Sequence, residues 1–185
     1  GTKMLFKSTG LYIRSLPEGE VTTDRMAFDG RVDRTLSDKT SVFGQVLYLR
    51  DSFKEIDYLV SPTVGLSRWF MKDDRNELAV DAGIGVVWEK NPPYPVQTSG
   101  AINLGQNFKS KFTGTTEFTQ KFAALWKMDD FDDALYTFGV GLATNVTGSV
   151  QMKVEVLDTY KNKPRTDTVV KNDVAVLLSF VYKFD

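Results

Sequence analysis

Val174-Ala-Val-Leu-Leu-Ser-Phe-Val-Tyr-Lys-Phe-Asp185 is the stretch of this chain that decides its fold class. Successive side chains of an extended strand point to opposite faces, so one face of this stretch is entirely apolar or aromatic. That face carries Val174, Val176, Leu178, Phe180, Tyr182 and Phe184. Such a final strand, with an aromatic residue almost at the chain end, is typical of transmembrane β-barrels. No apolar run is long enough to cross a bilayer as a helix, so the stretch predicts strands that meet lipid.

The same alternation recurs along the chain in about ten long segments, and no helical repeat is evident. The clearest examples are residues 76–89, 117–126 and 150–156. In the last of these, Val150, Met152, Val154 and Val156 alternate with Gln151, Lys153 and Glu155. Segments of roughly ten to fifteen residues exceed the ~5–6 of soluble strands and suffice for the ~9–11 that a tilted strand needs to cross a bilayer.

The connections between these segments alternate in length. Tight turns are predicted at residues 37–39, 72–76, 113–115 and 147–149. Longer polar links are predicted at residues 17–23, 51–57, 90–98, 127–133 and 161–167. Short turns on the periplasmic side and longer loops outside are typical of an up-and-down barrel with an even strand number.

The predicted architecture is therefore an all-β, antiparallel, up-and-down transmembrane β-barrel of about ten strands, formed by residues 1–185 as one domain. The segment from Lys3 to Leu16 is expected to pair with the strand from Val174 to Phe184 and close the barrel. Pro62 lies inside a predicted strand and cannot donate a hydrogen bond to the ladder, so a bulge or local break is expected there. The chain starts at Gly1 without a charged-then-apolar leader, which predicts that a signal peptide either has been removed or never existed.

Composition excludes several function classes. A net charge of −1 offers no basic surface for nucleic acid. The chain has no cysteine, which excludes disulfides and thiolate chemistry, and no histidine, which excludes Ser-His and Cys-His catalysis. The sequence predicts a protein that is not an enzyme.

Several segments together resemble a known family. They are residues 57–66, 77–86, 129–133 with the later Gly139, 160–164 and 182–184. In this order, across nearly the whole chain, they resemble the salt-induced outer-membrane protein family, also catalogued as domain of unknown function 481. The resemblance implies an outer-membrane barrel, linked to osmotic or envelope stress, with no catalytic residues to carry over. It also implies a further strand or so before Lys3, which would make twelve strands in an untrimmed chain.

Charged residues share the strand face opposite to the apolar one. We expect this face to point into the lumen, because an outward charge at mid-bilayer costs about 2–4 kcal/mol. The predicted lumen charges are Asp29, Arg31, Asp33, Glu117, Lys121, Lys153 and Glu155. They fit either a salt-bridged filling of a narrow barrel or the lining of a selective pore.

The run of Asp129, Asp130, Asp132 and Asp133 is the only candidate for metal binding. Four carboxylates within five residues of an external loop could supply oxygen ligands to Ca²⁺ or Mg²⁺. The spacing does not match a calcium-binding loop, so the alternative is a solvated loop whose charges repel one another. No other cofactor is expected.

Two function classes remain open. The first is a structural or small-solute barrel of the bacterial outer membrane; the second is a soluble or periplasmic lipocalin-like barrel that binds a small apolar ligand. The membrane interpretation places Phe118, Phe122, Val150, Val154, Val176 and Phe180 outward, whereas the carrier interpretation places them inward. For the membrane interpretation, the expected partners are lipid, lipopolysaccharide and the barrel-assembly machinery, which would recognise the strand ending at Phe184. We expect a monomer with no nucleic-acid partner.

Overall fold

The computed structural model describes residues 4–15, 23–147, 150–164 and 170–182 as one antiparallel sheet. Its ten strands are β1 (Met4–Ser15), β2 (Thr23–Ser37), β3 (Thr40–Asp51), β4 (Ile56–Lys72), β5 (Asn76–Lys90), β6 (Gln97–Lys111), β7 (Thr116–Lys127), β8 (Asp130–Asn145), β9 (Val150–Lys161) and β10 (Asn172–Tyr182). Each strand pairs with its neighbours in the sequence, so the meander is up-and-down. The predicted all-β fold class is confirmed.

Strand length follows from the long alternating segments. The shortest strand has 11 residues and the longest has 17. The single helical element among the described residues is a 3₁₀ turn, Ser52–Lys54. No helix in this part of the chain is long and apolar enough to cross a membrane.

Short polar turns reverse the chain at one end of the sheet. At Asp73 the side-chain carboxylate accepts hydrogen bonds from the backbone N–H groups of Arg75 at 2.9 Å and Asn76 at 2.6 Å. Aspartate often stabilises a turn in this way. The two bonds lower the pKa of Asp73 from its ordinary value. We call this end, with the turns before β3, β5, β7 and β9, the tight-turn end, and the opposite one the long-loop end.

The two faces of the sheet differ in polarity, and contacts between distant strands identify the inner one. Arg31 on β2 reaches Asp81 on β5, and Lys161 on β9 reaches Glu89 on β5. Strands that are not neighbours can meet only across a concave surface, so the charged face is the interior of a curved, barrel-like sheet. The exposed apolar side chains lie on the opposite face: Val46, Val64, Ile84, Leu104, Phe138, Leu142, Val154, Val156, Val174, Val176 and Leu178.

Aromatic side chains gather on this outer face near the two ends. Towards the long-loop end, Trp126 donates a hydrogen bond from Nε1 to the Tyr136 hydroxyl at 3.0 Å, and Tyr136 also contacts Tyr160. Phe118 contacts Phe112 near the tight-turn end. Amphipathic aromatic rings of this kind occupy the two membrane interfaces of transmembrane barrels.

The predicted closure is not found. In the described part of the chain β1 pairs with β2 alone and β10 with β9 alone, so the sheet is a half-barrel with two free edges. Arg25 on β2 nevertheless lies 3.5 Å from Asp173 on β10. Alternation predicts the face of each residue, but closure depends on strand tilt and stagger, which alternation does not specify.

Two local predictions concern single segments. At Pro62 the structure has the local break and not the bulge: the register of β4 with β5 is the same at Val60 as at Thr63, and the pairing is interrupted between these two residues. The other prediction needs correction. The link predicted at residues 127–133 is instead a two-residue turn, because β7 ends at Lys127 and β8 begins at Asp130. Lys127 and Asp133 form an ion pair with each other, and this pairing allows both charged residues to be part of the strands.

Candidate functional site

Arg31 is the centre of a buried ion cluster in the middle of the barrel interior. Its guanidinium contacts Asp33 on the same strand and Asp81 on β5, each at 2.7 Å. The Arg31 side chain also lies over the ring of Phe43, 4.0 Å from the ring centroid. A planar guanidinium can bind two carboxylates along its edge while its flat face stacks on an aromatic ring, whereas the ammonium group of a lysine has no flat face to stack.

A glycine makes room for this cluster. A Cβ atom at Gly65 would lie 2.6 Å from the Phe43 ring and 2.3 Å from the carbonyl oxygen of Ala82. Real Cβ atoms do not approach so closely, so only glycine lets the ring lie against β4. The missing side chain thus positions the aromatic surface that Arg31 covers.

A second ion cluster occupies the interior at the long-loop end. We call Glu89, Lys127, Asp133 and Lys161 the four-charge cluster; they come from β5, β7, β8 and β9. Both lysines contact both acids. Lys127 Nζ lies 2.8 Å from Glu89 and 2.5 Å from Asp133, and Lys161 Nζ lies 3.1 Å from Glu89 and 2.6 Å from Asp133.

The four-charge cluster is electrically balanced and almost inaccessible to water. The Glu89 side chain is fully buried and the other three are at most 8% exposed. Two positive and two negative charges alternate around it, so every buried charge has two partners of opposite sign. Removing one member of such a cluster leaves an uncompensated buried charge, which costs several kcal/mol.

A third cluster links both sides of the half-barrel. Arg25 lies 3.8 Å from Asp51 as well as close to Asp173. Lys54, in the 3₁₀ turn after β3, is buried and donates from Nζ to the carbonyl oxygen of Lys171 at 3.0 Å. Burial lowers the pKa of Lys54 from its ordinary value, while Asp51 and Asp173 oppose that shift.

An apolar layer lies inside the barrel next to these charges. Its members are Leu49, Ile56, Leu59, Val87, Ala101, Leu125 and Leu135. They come from β3 to β8, and all are almost fully buried. On β3, β5, β7 and β8 the apolar residue is the inward neighbour of a charged cluster residue: Leu49 of Asp51, Val87 of Glu89, Leu125 of Lys127 and Leu135 of Asp133. Charges and apolar side chains therefore fill this end of the interior in two layers, as expected for barrels that are closed by their own side chains.

The other predicted lumen charges lie on the same inward face. Asp29 accepts a hydrogen bond from Gln45, and Lys153 contacts Glu155 at 2.7 Å. Glu117 accepts a hydrogen bond from Gln151 at 3.1 Å. Lys121 lies in the electrostatic range of Lys153, Glu155 and Asp29 and is solvent-exposed.

The acidic run does not come together as one site. Asp133 points inward into the four-charge cluster, whereas Asp130 pairs with Lys163 at the rim. The hydrogen bond with Asp130 raises the pKa of Lys163 from its ordinary value. The amide N–H groups of Asp129 and Asp132 donate to Ser99 and Asp130.

Lysine ammonium groups thus occupy the places beside Asp130 and Asp133 that a cation would need. No group of three or more potential ligands that could hold a metal is found among the described residues. A Ca²⁺ or Mg²⁺ site at this run stays a prediction, and thermal stabilisation by added Ca²⁺ would measure it.

Comparison with known proteins identifies the family. Residues 2–184 match the family described as "Protein of unknown function, DUF481". The chain belongs to this family. The match agrees with the resemblance seen in the sequence, although the association with salt induction stays a prediction. No curated protein sequence matches this DUF481 protein.

The solved structures similar to this DUF481 protein include a porin and a FadL homologue. The NanC porin aligns with a TM-score of 0.62 and 10% identity, covering 100% of this chain and 98% of the porin. A Pseudomonas aeruginosa FadL homologue aligns with a TM-score of 0.53 and 10% identity, covering 100% of this chain and 63% of that protein. At this identity the similarity concerns the fold alone.

Sequence reasoning missed most of the long-loop clusters in this DUF481 protein. Glu89 shares its strand face with Asp81, so alternation places both inside, but neither was singled out. For Lys127 and Asp133 the polar run at residues 127–133 predicts a loop. The available signal was the alternation continuing through them: Leu125 and Lys127 share one face of β7, and Asp133 and Leu135 share one face of β8.

Proposed function

We propose that this protein is a monomeric barrel of the bacterial outer membrane whose side-chain-filled interior serves a structural or small-solute role in the envelope. The observation that carries the proposal is the distribution of polarity between the two faces. Val154 is 44% exposed and Val176 73% exposed on the outer face, whereas Lys153 and Glu155 pair inside. An apolar outer band with charges held inside is the arrangement that lipid requires.

The same distribution argues against the lipocalin-like carrier. A carrier for an apolar ligand needs its apolar strand face inside and its charges in water. Here the interior carries the Arg31 cluster and the four-charge cluster, and Val154 points away from it. The apolar side chains that do lie inside form one buried cluster that packs against itself.

The filled interior favours a structural role, or passage of small solutes only, over a wide pore. The link to osmotic or envelope stress rests on the family resemblance. Comparing growth of the host with and without this chain at raised salt tests that link, and equal growth would contradict it. The proposal assigns the chain no catalytic step and takes lipid, lipopolysaccharide and the barrel-assembly machinery as partners.

Refolding tests the membrane assignment. Chain unfolded in urea and diluted into detergent or phospholipid vesicles is expected to gain β structure and to migrate on an unboiled denaturing gel as a compact band distinct from the boiled form. Diluted into buffer without detergent, it is expected to aggregate, because its outer face is apolar. Folded, monomeric protein in detergent-free buffer would contradict the membrane assignment and favour the carrier.

A further inference from the structure

Two arginines interrupt the outer face near the tight-turn end. Arg34 on β2 and Arg68 on β4 are both exposed. Asp33 and Ser67, which precede them, are buried on the inner face, so alternation turns both arginines outward. We call Arg34 and Arg68 the arginine pair. A charge on the lipid-facing side of a barrel is costly at mid-depth, so the depth and the partners of the pair matter.

The depth of the arginine pair follows from the spacing along the strands. Arg34 lies ten positions after Asp24, which pairs with Arg50 on the outer face at the long-loop end. Arg68 likewise lies ten positions after Tyr58 on β4. A tilted strand crosses the hydrocarbon in about 9–11 residues, so each arginine lies where the hydrocarbon ends and the headgroups begin.

Exposed apolar side chains lie on both sides of the arginine pair. Val32 and Leu66 precede the arginines on the outer face and are exposed. Leu36 and Phe70 lie two residues beyond them, towards the tight-turn end, and are 59% and 60% exposed. Because the apolar surface continues past the arginines, their guanidinium groups meet lipid headgroups before they meet bulk water.

The arginine pair has no carboxylate partner in the part of the chain that the structure describes. By contrast, Arg25, Arg31 and Arg50 all pair with aspartates. The turn between β2 and β3 adds Asp38 and Lys39, whose charges cancel. The two guanidinium charges of the pair are therefore open to an anion from outside the chain.

The two arginine side chains can reach one anion. Val42 on β3 is the register partner of Arg34 on one side and of Leu66 on the other. Arg68 is the next outward residue after Leu66. Strands β2 and β4 are two strand spacings apart, about 10 Å, which two long side chains can span with a phosphate group between them. A guanidinium group binds phosphate through two parallel hydrogen bonds, whereas the ammonium group of a lysine acts as a point charge.

We propose that the arginine pair binds the phosphate group of an anionic phospholipid in the leaflet at the tight-turn end. The site rests on the proposed function, because only a chain within a bilayer meets headgroups at this level. Phosphate is the anion that a bilayer presents there. The pair carries two positive charges, so a headgroup with a net negative charge fits better than a zwitterionic one. The exposed apolar side chains beside the arginines contact the acyl chains of the same lipid.

Lipid titration of the protein folded in a non-ionic detergent tests the site. The probe is a short-chain phosphatidylglycerol, and native mass spectrometry measures the fraction of protein that retains it. Arg34→Gln and Arg68→Gln are each expected to weaken binding about fivefold, the contribution of one basic residue beside an anionic lipid. Both substitutions together are expected to weaken it further. Unchanged binding in the folded double variant would overturn the site.

Arg50→Gln is the matched control. Arg50 is also exposed on the outer face, but it lies at the long-loop end and already pairs with Asp24. The control is expected to bind phosphatidylglycerol as the parent protein does. Equal weakening in Arg50→Gln and Arg68→Gln would show that the lipid responds to overall charge, and the assignment to the arginine pair would be wrong.

Two competitors identify the source of the phosphate. Inorganic phosphate at the same concentration is expected to leave the bound lipid in place, because it lacks the acyl chains; complete displacement would replace the lipid by a free anion and overturn the proposal. Short-chain phosphatidylcholine is expected to bind more weakly than phosphatidylglycerol, and equal binding would contradict selection for a net negative headgroup. A parent protein that folds in detergent but binds no phosphatidylglycerol contradicts the headgroup site alone. One that stays folded and monomeric without detergent contradicts the proposed function as well.

Discussion

Arg31→Met is expected to lower the free energy of unfolding by about 3–5 kcal/mol, the cost of leaving buried charges without their partner. Methionine has a similar length but no charge, so the variant leaves Asp33 and Asp81 facing each other without the guanidinium that now contacts both at 2.7 Å. Burial makes this loss large, because the side chains of all three residues are at most 11% exposed. Denaturant titration of the protein folded in detergent or lipid measures the difference.

Arg50→Met is the matched control. Arg50 also pairs with an aspartate, Asp24, but at 3.9 Å and with half of its own side chain exposed. Exposed pairs of this kind contribute about 0–1 kcal/mol, so the control should unfold within that range of the parent protein. Equal costs for the two variants would show that the Arg31 cluster is hydrated and does not hold the strands together.

Alternation of residue types predicts the facing of side chains in this molecule because a strand has only two faces. Lys153, Val154 and Glu155 illustrate it: the parity of each residue places the two charges on one face and the valine on the other, as the structure has them. Strand number and antiparallel order follow in the same way from the number of segments and the turns between them. Phe184 and the side chain of Phe180 lie outside the described residues.

The partners of the inward charges could not be predicted from the sequence. Arg31 and Asp81 are 50 positions apart, and Glu89 and Lys161 are 72 positions apart. Which charges meet across the interior depends on the tilt of the strands and on how the sheet curls, and a pattern within one strand carries neither. The same limitation explains why the predicted pairing of β1 with β10 is not found in the described residues.

The polar run at residues 127–133 shows a second limit. Hydrophilic residues predict a loop when each is considered alone, because an isolated buried charge is very costly. Lys127 and Asp133 lie 2.5 Å apart, and each reduces the cost of burying the other. Both therefore belong to strands, and the acidic run is divided between the interior and the rim.

Val154→Arg is expected to destabilise the protein in a bilayer by about 2–4 kcal/mol, since arginine that faces lipid near the midplane of a barrel costs this much. Val154 is suited to the test because it lies within β9 on the exposed apolar face, opposite Leu142 on β8 and Leu178 on β10. The arginine that replaces Val154 would have to place its charge among these apolar side chains. Unfolding of the vesicle-refolded protein by denaturant gives the cost.

Val146→Arg separates the effect of depth from that of the substitution itself. Val146 is a 58% exposed valine at the tight-turn end, where arginine can reach water and should cost about 0–1 kcal/mol. Lys153→Ala completes the comparison: it removes the inward partner of Glu155 and is expected to leave membrane insertion intact. If Val154→Arg costs no more than Val146→Arg in vesicles, the outer face does not meet hydrocarbon, and the apolar band must be covered by something other than lipid.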